Sequence, residues 1–419
     1  MNDSKEKYKV AAIGIANKIC RDAIWNNDSC NWAGLATEAD TAERKIYSRA
    51  LPPDFYDGVA GVAYFLLQVY RVQPNPVFLK TINGALQQII EVQEKEENLL
   101  IGFYQGKCGI VFVLLEAARL FNKPLLKDIA ETKLSELTSK AIDYEQSDII
   151  SGLAGVIHFL LYLYRSEGNK RADLLDKSIE LGNILIQNAN KSTFGYSWET
   201  LDIGSRHLTG YAHGASGIAC ALLELYSINK DEYFLHACKE AFRYEDSFFN
   251  DEKQNWPDFR FKNKDENKSE EVCSLAWCHG APGIGLARLR AFVITQDENC
   301  YAAGLKAVEV TKRIFNTEHI KDYSLCHGLF GNSILLLKAA SILNLVELRE
   351  LVFKQADKCL QQFMQQDIPI PNGYGSAMES PCFMQGNSGI GYFFLHLCDP
   401  DLFPQLLELE KEFSGSIHI

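Results

Sequence analysis

The sequence predicts an all-α fold, an (α/α)7 double-layered toroid built from seven helical-pair repeats. Three observations lead there. A Gly-x-x-Gly step recurs seven times, its first glycine at Gly58, Gly106, Gly152, Gly214, Gly280, Gly328 and Gly386. Each step opens a segment that is apolar on nearly all sides, as in VAYFLLQVY from Val62, and such a segment reads as a helix buried all round. Between these segments lie amphipathic ones. Pro76 to Lys95 carries a single apolar stripe of Phe78, Ile82, Leu86, Ile89 and Ile90 on a polar background.

The elements follow in order from this register. Successive first glycines are 48, 46, 62, 66, 48 and 58 residues apart, room for two helices and two connections at each step. The simplest arrangement is an inner and an outer helix per repeat. Inner helices that are apolar on both flanks need neighbours on both sides, and closing the array into a ring supplies them. An open solenoid of the HEAT kind is the rival; its repeats would be more even in length and would not need a glycine pair at each inner helix. The expected organisation is therefore one domain over 1–419, with repeats from about residue 55 to 397. Glycine tolerates positive φ and close backbone approach, and either property would allow a sharp turn into a crowded inner helix.

Composition narrows the function. Of 419 residues, 47% are hydrophobic and 23% charged, which fits a large core and argues against disorder. Lys plus Arg is 42 against 54 for Asp plus Glu, a net charge of -12 that argues against a sequence-independent grip on nucleic acid or anionic membrane. No run of about 18 apolar residues offers a membrane span. The first 20 residues lack the apolar core and cleavage site of a secretory signal. The expected location is the cytoplasm. There the 12 scattered cysteines are reduced, and those that matter are metal ligands or nucleophiles rather than a disulfide framework.

If the seven turns share one end of the ring, the residues before each first glycine converge there. They are Asp57, Gln105, Ser151, His213, His279, His327 and Gln385, all polar or ionisable. Helix capping accounts well for Asp57 and Ser151 but poorly for three histidines. Two consecutive repeats read Cys278-His279-Gly280 and Cys326-His327-Gly328. Neighbouring repeats bring two thiolates and one or two imidazoles together, a ligand set for Zn²⁺. A closed site that uses His279 as well would be structural, whereas two Cys and one His would leave a position open for chemistry. Two thiolates nearly neutralise the ion, which favours activation of a bound thiol over activation of water. Most other cysteines read as small core hydrophobes, among them Cys220, Cys238, Cys359 and Cys398.

His213 has no cysteine before it and is available for acid or base chemistry near neutral pH. Asp148, four residues before Gly152, is placed to orient an imidazole, or else to close an Asx-turn.

These motifs together resemble the lanthionine synthetase C-like family of lanthipeptide cyclases. The resemblance rests on AHGASG from Ala212, WCHGAPGIGLARL from Trp277, SLCHGLFGN from Ser324 and the seven-fold glycine register, and it runs from Phe55 to about Leu397. NWPDFR at Asn255 to Arg260, with WCHGAPG, looks more like the cyclase domain of bifunctional class II synthetases than like free-standing class I cyclases. The resemblance implies an α/α toroid with one zinc ion per chain. It implies that Cys278, Cys326 and His327 are the ligands, that His213 is the active-site histidine and that Asp148 is the active-site aspartate. His279 stands where some family cyclases carry Tyr and is no ligand there. The implied reaction is intramolecular Michael addition of a peptide Cys thiolate to dehydroalanine or dehydrobutyrine, giving a lanthionine or methyllanthionine ring.

The implied partner is a dehydrated precursor peptide. Only 57 residues precede Gly58, too few for the dehydratase of a class II synthetase, so the expectation is a separate dehydratase or a split cyclase. A second branch of the family binds glutathione and adds it to dehydrated residues. Lys321, five before Cys326, matches a lysine of that branch but reads more simply as a solvated surface residue. A non-catalytic peptide-binding scaffold with structural zinc is the remaining alternative. An α/α-toroid glycosidase or terpene cyclase would need paired acids or an Asp-rich motif, and the lack of Asp-Asp-x-x-Asp disfavours that class.

Overall fold

Helices begin where the glycine steps predict them. The computed structural model describes residues 3–37, 45–95, 99–139, 146–201, 206–260, 272–375 and 378–409. The chain first forms α1 (Asp3–Arg21) and two antiparallel hairpins, β1 (Ile24–Asn26) with β2 (Ser29–Asn31) and β3 (Ala33–Thr37) with β4 (Ile46–Ala50). Helices then alternate as α2 (Val59–Val72), α3 (Pro76–Lys95), α4 (Lys107–Phe121), α5 (Pro124–Ser139), α6 (Leu153–Ser166) and α7 (Ala172–Gln187). A third hairpin, β5 (Asn190–Ser192) with β6 (Gly195–Ser197), precedes α8 (Ala215–Asn229), α9 (Glu232–Asp246), α10 (Ala281–Thr295) and α11 (Glu298–Phe315). The last helices are α12 (Leu329–Ile342), α13 (Val346–Cys359) and α14 (Asn387–Cys398). Each even-numbered helix starts one residue after a first glycine. All residues of Val59–Val69 in α2 and of Ala215–Leu225 in α8 are buried, as their all-round apolar sequences require.

The chain groups into two compact units. One takes Met1–Lys140, Glu318–Phe330 and Phe353–Gln405. In it α2 packs between α4 and α14, with α3 on α2 and α5 on α4. The outer partner of α14 is α1, from the other end of the chain. Tyr8 makes this join: its ring stacks on Phe394 at 5.9 Å and its hydroxyl donates to Asp357 at 2.7 Å. The first and last repeats are thus direct neighbours, which an open solenoid does not allow. The other unit takes Ala141–Thr317, Gly331–Val352 and Leu406–Ile419. In it α8 packs between α6 and α10, with α7, α9 and α11 on their outer sides.

Within each unit, backbone hydrogen bonds tie one glycine turn to the next at a fixed offset. In the first, Phe55 and Tyr56 N–H donate to the Tyr104 carbonyl (3.0 and 2.8 Å), Met384 N–H to Tyr56 (2.8 Å), and Leu325 and Cys326 N–H to Met384 (3.1 and 2.9 Å). In the second, Ile149 N–H donates to Ala212 (3.1 Å), and Tyr211 and Ala212 N–H donate to Cys278 (3.2 and 3.0 Å). Every acceptor is the carbonyl two residues before a first glycine.

Crowding, rather than positive φ, explains most of the glycines. Gly58, Gly152, Gly214 and Gly386 have φ of -113°, -111°, -113° and -131°, ordinary values for any residue. Gly280, at 95°, is a left-handed exception. The second glycines face the carbonyl six residues back. A Cβ on Gly217 would stand 2.0 Å from the Tyr211 oxygen, and one on Gly283 2.0 Å from the Trp277 oxygen. The first glycines are the helix N-caps and make no side-chain cap bond. Asp57 and Ser151 therefore do not cap as their type suggests: Asp57 pairs with Arg49 at 2.6 Å, and the Ser151 hydroxyl donates to Asp148.

Gly217→Ala is expected to destabilise the chain by about 3 kcal/mol or more, because backbone must move to admit the methyl group. Gly168→Ala, at φ 68° with nothing within 4 Å of a Cβ, should cost only the conformational term of about 1–2 kcal/mol. Equal losses in chemical denaturation would contradict the crowding argument.

Candidate metal and proton-transfer site

The turn before α6 carries Asp148, whose side chain is fully buried. Its Oδ1 accepts from Ser151 N–H (2.8 Å), Gly152 N–H (3.0 Å) and the Ser151 hydroxyl (3.2 Å). Its Oδ2 meets His213 Nδ1 at 2.5 Å. The Asx-turn and the imidazole contact are thus both present, one on each oxygen. The donors on Oδ1 leave Oδ2 as an acceptor, so His213 carries its proton on Nδ1 and turns Nε2 outward. The His213 side chain keeps 21% exposure, enough to reach a ligand from a fixed position.

The His213 turn is itself held from behind. Glu245 of α9 is buried and accepts from Gly210 N–H at 2.8 Å and Ser216 N–H at 3.1 Å. Arg288 of α10 stands beside it at 3.4 Å.

His279 lies against His213, with ring centroids 5.9 Å apart and planes at 25°. It is 1% exposed. Asp258 of the NWPDFR segment is 3.9 Å from its Nδ1. Burial would raise the Asp258 carboxyl, but the Arg260 hydrogen bond, His279 and Ser274 outweigh burial and hold it at about 2. Arg260 reaches both Asp258 oxygens, at 3.0 and 2.8 Å. Asn255 of the same segment accepts from Ala281 N–H at 2.9 Å and so locks the segment to the start of α10. Burial, aided by Arg260, holds the His279 imidazole at about 3 and therefore neutral.

Cys326 and His327 belong to the turn before α12. The Tyr56 hydroxyl donates to Cys326 Sγ at 2.8 Å, and Gln385 Nε2 donates to that hydroxyl at 3.2 Å. His327 Nε2 is 3.3 Å from the Gly373 carbonyl and 3.4 Å from Asp322 Oδ2. Asp322 is fixed in turn by Ser324 N–H at 2.7 Å. Among the described residues, Cys278, Cys326 and His327 form a group whose ligand atoms all lie within 4.8 Å of one another. Two thiols and one imidazole are donor types that zinc takes, so the donor set fits a zinc ion in type. His279, with its separate surroundings, is no member of the group.

Cys30, Cys108, Cys238, Cys300, Cys359 and Cys382 are buried thiols, and burial pushes all of them up. Cys398 is only half-buried, less so than a core reading implies. Lys321 is exposed. Tyr56, Asp322, Asp258 and Arg260 were not singled out by sequence reasoning. The available signal was their place on glycine turns or in NWPDFR, not their residue type.

The lanthionine synthetase C-like protein family matches residues 49–408 of the chain. The lacticin 481/lactococcin biosynthesis protein LcnDR2 of Lactococcus lactis subsp. lactis is 26% identical over 323 residues. That match covers 74% of this chain, which spans about a third (32%) of the length of that relative. The nisin biosynthesis protein NisC of the same organism is 24% identical over 363 residues, covering 79% of this chain and 82% of that protein. The glutathione S-transferase LANCL1 of Danio rerio is 21% identical over 291 residues, covering 66% and 67%. Among solved structures, nisin cyclase superposes with a TM-score of 0.65 at 17% identity, over 85% of this chain and 91% of that one. This likeness shows the fold to be the α/α toroid. With its seven glycine turns inside one family match, the chain belongs to the lanthionine synthetase C-like family, related to the lanthipeptide cyclases.

Proposed function

We propose that this chain is a zinc-dependent lanthipeptide cyclase that acts as one domain. It would join a peptide Cys sulfur to the β-carbon of dehydroalanine or dehydrobutyrine in the same peptide. The observation that carries this reading is the Cys278, Cys326 and His327 group, whose ligand atoms lie within 4.8 Å of one another. These residues would hold one Zn²⁺, which when bound acidifies a substrate thiol and keeps its sulfur nucleophilic. The family match, unbroken over 49–408, supports the single-domain reading.

His213 and Asp148 supply the proton chemistry. Sulfur attack moves the alkene electrons onto the carbonyl as an enolate, and the α-carbon must then gain a proton. His213 Nε2 faces outward because Asp148 holds Nδ1 at 2.5 Å. It is therefore the group to deliver that proton, while Asp148 stabilises the imidazolium beforehand. His279, buried and neutral, packs against the His213 ring and limits its rotation. One S–H and one C=C become one S–C and one C–H, so mass is conserved. The substrate is a dehydrated precursor peptide, which requires a dehydratase reaction upstream. The place of action we propose is the cytoplasm; no described helix is long and apolar enough to cross a membrane.

A second reading, addition of glutathione to a dehydrated residue, draws on the likeness to the Danio rerio glutathione S-transferase LANCL1. Zinc-loaded protein mixed with a dehydrated Cys-containing peptide and glutathione separates the two. Cyclisation removes the peptide thiol at constant mass, whereas glutathione addition raises the mass and leaves the peptide thiol free. Peptides that keep both their thiols and their mass, with the alkene intact, across a panel would overturn both readings.

His213→Asn and Asp148→Asn should each lower the cyclisation kcat by about 10²–10⁴-fold, with zinc content and melting temperature near wild type. Cys326→Ala should lose the stoichiometric zinc yet stay folded by circular dichroism, and unfolding on zinc loss would point instead to a structural metal. Asp322→Asn should weaken zinc binding by about 10–100-fold in chelator competition, since it withdraws a carboxylate from His327.

A further inference from the structure

The rim holds a hydrogen-bonded relay that the proposed reaction does not use. It runs from Gln385 Nε2 to the Tyr56 hydroxyl at 3.2 Å and from that hydroxyl to Cys326 Sγ at 2.8 Å. Its direction follows from donor counting. A tyrosine hydroxyl has one proton, and the Gln385 amide, as a donor, occupies a lone pair on the oxygen. The Tyr56 proton is therefore left to point at sulfur.

The three side chains come from three different repeats, and backbone fixes their spacing. Met384 N–H donates to the Tyr56 carbonyl at 2.8 Å, and Cys326 N–H donates to the Met384 carbonyl at 2.9 Å. Residues 56, 326 and 384–385 are thereby held within one unit of the chain, and the relay needs no side-chain rearrangement to form.

We infer that Tyr56 is a positioning residue for the Cys326 thiolate, tuning how much charge that sulfur gives to the metal. The inference rests on the reading of Cys326 as a zinc ligand. A hydrogen bond to a thiolate stabilises its lone pairs and reduces their donation to the metal. Groups of this kind around metal ligands commonly set both ligand orientation and electronics. A site with two thiolates has the most to gain, because each thiolate lessens the ion's power to acidify a bound substrate thiol. The relay offsets part of that loss at one of the two sulfurs. Gln385 is the remote member, fixing which way the Tyr56 proton points.

Cobalt(II) substitution tests this without any turnover. Tetrahedral Co²⁺ with thiolate ligands shows sulfur-to-metal charge-transfer absorption in the near ultraviolet. Tyr56→Phe should shift that band to lower energy, because the sulfur lone pairs rise when the hydroxyl is removed. Gln385→Leu should shift it in the same direction by a smaller amount. Cyclisation by the zinc form of Tyr56→Phe should fall by about 10–100-fold, with its melting temperature near wild type. A band unmoved in both variants would overturn the inference. A wild-type protein that binds Co²⁺ with no charge-transfer band, or not at all, would instead remove the zinc reading on which it stands. Should Tyr56→Phe fail to fold, the Gln385→Leu band alone decides, since that change leaves the tyrosine in place.

Discussion

The arrangement depends on the hydrogen bond from one glycine turn to the carbonyl of the next. Each such bond lets two inner helices enter the core side by side at the same level. It also fixes the residue just before each first glycine, which is where Asp148's partner His213, His327 and Gln385 sit. Each turn is also tight within itself, and a side chain at the second glycine would collide with the carbonyl six residues back in the same turn. Five of the second glycines show this clearly, since a Cβ at Gly61, Gly109, Gly217, Gly283 or Gly389 would stand 1.9–2.3 Å from a carbonyl oxygen. Glycine is needed there for what it lacks, and the first glycine Gly280, at φ 95°, is needed for its backbone freedom.

This constraint explains what was legible in the sequence. The seven turns could be counted because each demands the same two glycines, and the even-numbered helices could be drawn because each is buried on all sides. The role of α1 was not legible. It has no glycine step, and its pairing with α14 depends on Tyr8 meeting Phe394 and Asp357 from the far end of the chain. The three hairpins were not legible for a related reason: their strands are only three to five residues long, too short for an alternation to stand out, and β4 is exposed along its length.

At the rim, the pattern found the residues whose type is unusual for their position. Three histidines and two cysteines stand out against a register of caps and apolar residues. The groups that hold them do not stand out. Asp322, Tyr56 and Glu245 are common residue types at unremarkable positions, and only the folded chain brings them to His327, Cys326 and the His213 turn. Asp148 shows why a single residue can resist assignment from sequence. Its Asx-turn and its histidine contact use different oxygens of one carboxylate, so choosing between them was never required.

The two halves of the proposed chemistry place opposite demands on their surroundings. A proton donor at His213 needs a neighbouring carboxylate, and Asp148 provides it, with the donors on Oδ1 holding it in place. A metal held by two thiolates is nearly neutralised, and hydrogen-bond donors near its sulfurs would limit how much of its acidifying power is lost. Tyr56 provides one at Cys326. The chain meets both demands with the same device, a side chain from one glycine turn directed at a side chain from another. Because backbone hydrogen bonds set the spacing of those turns, a change that loosens the turns should degrade both halves together, whereas changes at Asp148 or Tyr56 should degrade one and spare the other.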